Sequence, residues 1–144
     1  MLGRTSYTRD EINNARFALA EQLTAYATLA AESTGETAQA ALADFEPLFF
    51  NNLVLVLDRF FVHRARAVTG TDSNPLNEVG LIAESLMENH AVLRGDPAVR
   101  YVPAASVVGL ELGDDIRLTA AEFDRLADAF FAEVEARLVS ADGA

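Results

Sequence analysis

The chain of 144 residues contains no cysteine and no lysine. Without cysteine it can have no disulfide, no thiolate nucleophile, no iron–sulfur cluster and none of the common cysteine-based zinc sites. Without lysine it can have no P-loop lysine, no Schiff base and no lysine general base. These absences exclude several classes of enzyme, and we expect no cofactor.

Positive charge is also scarce. Eleven arginines stand against 22 acidic residues, which gives a net charge of −11. Nucleic acids and anionic membrane surfaces attract proteins with a positive field, so we expect neither as a partner. No run of about 18 uncharged apolar residues is present, and the N-terminus lacks the apolar core of a signal peptide. We therefore expect a cytoplasmic protein.

The residues that are present indicate one globular domain over 1–144. Hydrophobic residues make up 51% of the chain and charged residues 23%, which is typical of a folded protein. Two helix starts carry a capping box, in which a threonine is followed three residues later by a glutamate: Thr8 with Glu11, and Thr119 with Glu122. These signals predict helices over 9–32 and 120–139.

The stretch 47–68 is apolar on almost every side, and the spacing predicts a long central helix. The alanine-rich segment 36–46 is helical by propensity, and Pro47 predicts a kink or a new start. A helix that is apolar all round must be covered by neighbours. In a chain this small a second copy would complete the cover, so we expect a homodimer.

Two further elements follow. Asn74 as N-cap and Pro75 at the first helical position predict a helix that extends to Leu93. Short β-prone runs on either side of Gly113-Asp114 predict a hairpin over about 107–118. The expected fold is mainly α, an antiparallel bundle of about four helices around the central apolar helix (47–68), with one small β-hairpin.

Polar residues on the central helix are the candidates for chemistry. Projection at about 100° per residue places four of them on one stripe. One interpretation is architectural: Arg59 and His63 meet carboxylates on a neighbouring helix. The other is a site in which arginines hold an anion and histidine moves a proton. The stripe consists of Asn52, Arg59, His63 and Arg66.

The loop after this helix sharpens the second interpretation. Arg64 or Arg66 could reach a loop rich in hydroxyl groups, beside the free amides of the next helix start, where anions bind. Asp72 in the same loop would repel an anion. The full set of candidate ligand-binding residues is Asn52, Arg59, His63, Arg64, Arg66, Thr69, Thr71, Ser73 and Asn74.

The pair Arg59-x-x-x-His63 resembles part of the motif of the HEPN ribonucleases, which are small helical dimers that cleave RNA. That family separates its arginine and histidine by a longer spacing, and the acidity of this chain argues against RNA. No metal site is expected, because His63 and His90 both lack the glutamate three residues earlier that di-iron bundles use.

Two hypotheses for function remain. The first is a non-enzymatic helical interaction or accessory protein, homodimeric, whose polar core groups fix the register of the fold. The second is a protein that binds a small anion or a nucleotide, and could be an enzyme, through an Arg/His site on the central helix next to the 69–75 loop.

Overall fold

The computed structural model describes residues 3–140. It is mainly helical, with 64% helix and five helices that pack against one another. The helices are α1 (Arg9–Glu32), α2 (Glu36–Phe60), α3 (Arg66–Thr69), α4 (Pro75–Glu88) and α5 (Ala120–Arg137), and a 3₁₀ turn covers Pro103–Ala105.

Both predicted capping boxes are present. The Thr8 hydroxyl accepts a hydrogen bond from the Glu11 amide at 3.1 Å, and the Glu11 carboxylate accepts one from the Thr8 amide at 3.0 Å. Thr119 and Glu122 repeat this pattern with the same two distances. The predicted first and last helices are therefore confirmed, with α5 ending two residues earlier than expected.

The predicted start of the central helix at Pro47 is wrong. Helix α2 begins at Glu36 and passes through Pro47 without interruption. Proline removes the amide that would bond the carbonyl of Ala43, and Ala43 lies at an exposed position where water can take over that role. Helix α1 and α2 are joined by only 33–35, so they form an antiparallel helical hairpin.

The predicted extension of the central helix to residue 68 is also wrong. Helix α2 ends at Phe60, because the N-terminal segment crosses the chain just beyond it. Arg4 forms a parallel bridge with Arg64, in which the Arg4 carbonyl accepts the Ala65 amide at 2.7 Å. The backbone at 63–65 therefore bonds to the N-terminal segment and does not continue α2. The short helix α3 follows.

The predicted β-hairpin at 107–118 is wrong. Within residues 3–140 no strand is formed, and the only β-type pairs are isolated bridges, one of them between Val92 and Asp115. Some backbone groups of this segment bond to the backbone at 91–93, and others bond to side chains of the helices. Glu78 accepts the amides of Val107 and Val108, and Asn51 accepts the amide of Leu118.

The predicted helix after Asn74 is confirmed at its start and ends early. The Asn74 side chain caps α4 through the Asn77 amide, and Pro75 is its first residue. Helix α4 ends at Glu88, because His90 and Ala91 have positive φ angles of 55° and 61° that cannot continue a right-handed helix.

The core lies around the second half of α2, which packs on α1, α4 and α5. Leu53, Val54 and Leu57 on the inner side of α2 are fully buried. By length and composition alone α2 could cross a membrane, because it contains an 18-residue window whose mean hydropathy is 1.4. That test is also passed by the core helix of a soluble protein, and only 28% of this window is buried.

Candidate functional site

The predicted polar stripe is not formed as one surface. Asn52 and Arg59 lie on the exposed side of α2, whereas His63 is exposed in the turn after the helix ends and Arg66 begins α3. The stripe requires a helix that continues to residue 68. Because α2 ends at Phe60, the four side chains point from three different segments.

Arg64 is held by partners inside the chain. Its side chain is 10% exposed, and its guanidinium donates to the Asp58 carboxylate at 2.8 Å. It also donates to the carbonyls of Phe61 and Leu76 at 2.9 and 3.1 Å and lies over the ring of Phe130. These contacts tie the end of α2 to α4 and α5, which is an architectural role.

The start of α4 is closed by the loop before it. The Thr69 carbonyl accepts from the Asn74 amide group at 2.9 Å and from Arg137 at 3.1 Å, and Asn77 donates to the Asp72 carbonyl at 2.8 Å. Arg66 donates to the Asn77 side chain at 3.1 Å. Loop oxygens and asparagine amides therefore occupy the space that an anion at this helix start would need.

Thr71 and Ser73 fasten the same loop to the segment near residue 101. The Thr71 carbonyl accepts the Arg100 amide at 2.7 Å, and the Ser73 hydroxyl accepts the Val102 amide at 3.2 Å. The structure thus brings Arg64, Arg66, Thr69 and Asn74 to one corner, with Thr71 and Ser73 on its outer side.

A cleft of about 230 Å³ opens beside this corner, between the end of α2 and the side of α4. Its charged lining consists of Asp58, Arg64, Arg66, Glu84 and Asp96. Asp58 is paired with Arg64 and Glu84 with Arg94, and Asp96 accepts the Ala98 amide. Carboxylates outnumber arginines in this lining, which disfavours an anion.

Two polar residues with a large structural role, the buried Glu78 and the half-buried Asn51, were not among the candidate ligand-binding residues. Glu78 is 3% exposed, and its carboxylate accepts from the Ser106 hydroxyl at 2.6 Å and from the amides of Val107 and Val108 at 2.8 and 3.2 Å. Asn51 donates to the Ile116 carbonyl at 2.7 Å. The sequence signal for Glu78 is its place on an otherwise apolar helical face.

The outer side of α2 is a second candidate surface, opposite the buried side. Leu48 is 66% exposed and Phe45 is 43% exposed, which is unusual for large apolar side chains. Neither Asp44 nor Arg59 has an ion-pair partner among residues 3–140. We call this surface the outer stripe; its exposed members are Ala41, Asp44, Leu48, Asn52 and Arg59, and it includes Leu55, which is half-buried.

A shallow apolar groove lies next to the outer stripe, where α1 and α2 pack on each other. It has a volume of about 240 Å³. Tyr26 and Phe45 both stack on Phe49 at its floor, and Leu29, 50% exposed, forms its rim. Aromatic side chains that are stacked and open to solvent offer a ready contact for another apolar group.

Ion pairs join the N-terminal segment to α1, and α1 to α5. Arg4 holds Glu11 at 2.7 Å and lowers the pKa of that carboxyl to about 2. Arg16 and Arg9 together lower the pKa of Glu135. Within residues 3–140 no group of three or more histidine, aspartate or glutamate side chains could hold a metal ion.

No protein-family model, no curated protein and no solved structure matches this chain. Its function must therefore be argued from the geometry of its surfaces.

Proposed function

We propose that this chain is a non-enzymatic helical interaction protein of the cytoplasm that acts as a homodimer, and that the outer stripe of α2 is its contact surface. The exposure of Leu48, in the middle of an apolar helix, is the observation that carries the proposal. When a partner covers such a side chain, the removal of its apolar surface from water is favourable by roughly 25 cal/mol per Å².

The interior of the fold supports an architectural role for the polar groups. Arg64, Glu78 and Asn51 each find their partners inside the chain, and each fastens an irregular segment to a helix. Buried polar groups that are fully matched in this way leave no donor or acceptor waiting for a ligand. Among the described residues, the Tyr7 hydroxyl is the one buried side-chain polar atom without a partner, and unpaired charges such as Asp44 and Arg59 lie on the outside, which favours an interaction surface.

A second candidate function, binding of a small anion, is favoured by one observation. The lining of the cleft beside α4 includes Arg64, Arg66 and Thr69, which are three of the candidate ligand-binding residues. Its surplus of carboxylates places this function second. A thermal-shift screen with inorganic phosphate and nucleotides tests it: binding raises the melting temperature, and Arg66→Ala abolishes the rise.

The proposed dimer is tested by light scattering coupled to size-exclusion chromatography. The wild type should elute with about twice the chain mass of 15.5 kDa. Leu48→Asp should elute as a monomer at the same concentration, because a charge on the outer stripe would be buried in the dimer. Met87→Asp is the matched control, since Met87 is 70% exposed on α4, away from the outer stripe.

If the wild type elutes as a monomer at every concentration, the proposal fails. If the wild type is dimeric and Leu48→Asp is too, the dimer uses another surface. Circular dichroism should give the same helix content for both variants, because both positions are exposed.

A further inference from the structure

The outer stripe of α2 is complementary to itself. We propose that two copies of the chain pack their α2 helices antiparallel, about a two-fold axis that passes between Asn51 and Asn52. This inference rests on the proposed homodimer and specifies its geometry. It follows from the order of the side chains along the outer stripe.

Residues that complement each other stand at equal distances on either side of this midpoint. Leu48 and Leu55 are each about 5 Å from it along the helix, and Asp44 and Arg59 are each about 11 Å from it, at 1.5 Å per residue. A two-fold axis at the midpoint therefore sets Leu48 against the second copy's Leu55. It also sets Asp44 against the second copy's Arg59.

The charges make this register specific. Asp44 and Arg59 are both exposed, and neither has an ion-pair partner among residues 3–140. In the antiparallel register each Asp44 meets an arginine, so the dimer contains two identical ion pairs. In a parallel, in-register dimer Asp44 would face Asp44 and Arg59 would face Arg59, which is repulsive. Interfaces commonly use such pairs to fix register and orientation.

The same register sets Phe60 on the side of the dimer that carries the groove between α1 and α2. Phe60 is 41% exposed and lies on the same side of α2 as Phe49, within about 20° in projection. The antiparallel register brings the second copy's Phe60 to the level of Ala43, beside the groove that Phe45 and Phe49 line.

A charge-swap experiment tests the ion pairs. Asp44→Arg and Arg59→Asp should each raise the dissociation constant of the dimer roughly fivefold or more, because each creates two contacts between like charges. The double variant Asp44→Arg/Arg59→Asp restores both pairs with reversed polarity and should return the constant to within about twofold of the wild type. If the double variant weakens the dimer by the sum of the two single effects, the antiparallel register is overturned.

Cysteine cross-linking tests the position of the axis, since the chain has no other cysteine. Two copies of residue 52 lie about 1.5 Å apart along the helix direction in the proposed register, whereas two copies of residue 48 lie about 10 Å apart. A disulfide needs Cα atoms within about 7 Å. Asn52→Cys should therefore form a disulfide-linked dimer on mild oxidation, and Leu48→Cys should not.

The outcomes separate this inference from the proposed function. Cross-linking of both variants would show a parallel dimer, and cross-linking of neither would show that the two-fold axis lies elsewhere. Either result overturns the register while a dimeric wild type keeps the proposed function. A monomeric wild type overturns both.

Discussion

At the scale of single residues, the fold is held by polar side chains that act on backbone far away in sequence. Glu78 and Asn51 accept backbone amides of the segment 106–119, which also bonds to the backbone at 91–93. The exception is Tyr7, which is 3% exposed and whose hydroxyl has no hydrogen-bond partner among the described residues. Burial raises the pKa of this hydroxyl.

The Tyr7 hydroxyl gives a first prediction. Tyr7→Phe should raise the free energy of unfolding by about 1 kcal/mol, because it removes a buried group that is left unsatisfied. The edge contact of the ring with Phe61 would be kept. Urea denaturation measures the change, and Tyr101→Phe is the control: it should lower stability, since the Tyr101 hydroxyl donates to the Leu110 carbonyl. A loss of stability in Tyr7→Phe would contradict this account of the site.

The ion pair between Arg64 and Asp58 gives a second prediction. Asp58→Asn should lower the free energy of unfolding by about 2–3 kcal/mol, because it leaves a largely buried guanidinium without its counter-charge. Glu84→Gln should change it by less than about 1 kcal/mol, since its pair with Arg94 is exposed. Equal effects of the two variants in chemical denaturation would show that Arg64 is not a structural anchor.

At the scale of elements, the parts of the fold that the sequence predicts are those with local causes. The capping boxes at Thr8 and Thr119 and the Asn74-Pro75 start act over three or four residues, and all three are found where expected. The hairpin at 107–118 fails because the segment bonds to the backbone at 91–93 and to Glu78 and Asn51, which lie on helices about 30 and 65 residues earlier. No local pattern reports such partners.

The anchoring of this segment by α4 gives a third prediction. Glu78→Ala should make the amides of Val107 and Val108 exchange with deuterium at least about tenfold faster, because they lose their acceptor. It should also lower the free energy of unfolding by about 3 kcal/mol. Glu84→Ala, on the same helix but exposed, is the control. Unchanged exchange at these two amides would rule out the anchoring role.

At the scale of the whole molecule, the candidate site depends on where one helix ends. The predicted stripe from Asn52 to Arg66 assumes that the central helix reaches residue 68. The N-terminal segment decides otherwise, because Arg4 engages the backbone at 63–65. A long apolar helix is present, although both of its predicted bounds are wrong, and its cover by a second copy stays a prediction. No local sequence signal distinguishes Asp44 and Arg59 of the outer stripe from the charges of an ordinary solvated helix face.

Acid should weaken the whole fold, which gives a fourth prediction. Arg4 lowers the pKa of Glu11 from its ordinary value of 4.5 to about 2, so this carboxylate stabilises the folded state above about pH 4.5. Its contribution is lost as the pH falls from there to about 2. Glu11→Gln keeps the capping box and removes the titration, so its melting temperature should fall less steeply over that window. Identical slopes for variant and wild type would contradict the prediction.

The most direct test of the account is the mass of the unmodified chain in sedimentation equilibrium. We expect a reversible equilibrium that approaches twice 15.5 kDa as concentration rises, because we propose that a second copy covers the outer stripe of α2. A mass of one chain that persists at about 1 mM, where even a weak dimer of about −4 kcal/mol would be half formed, would contradict it.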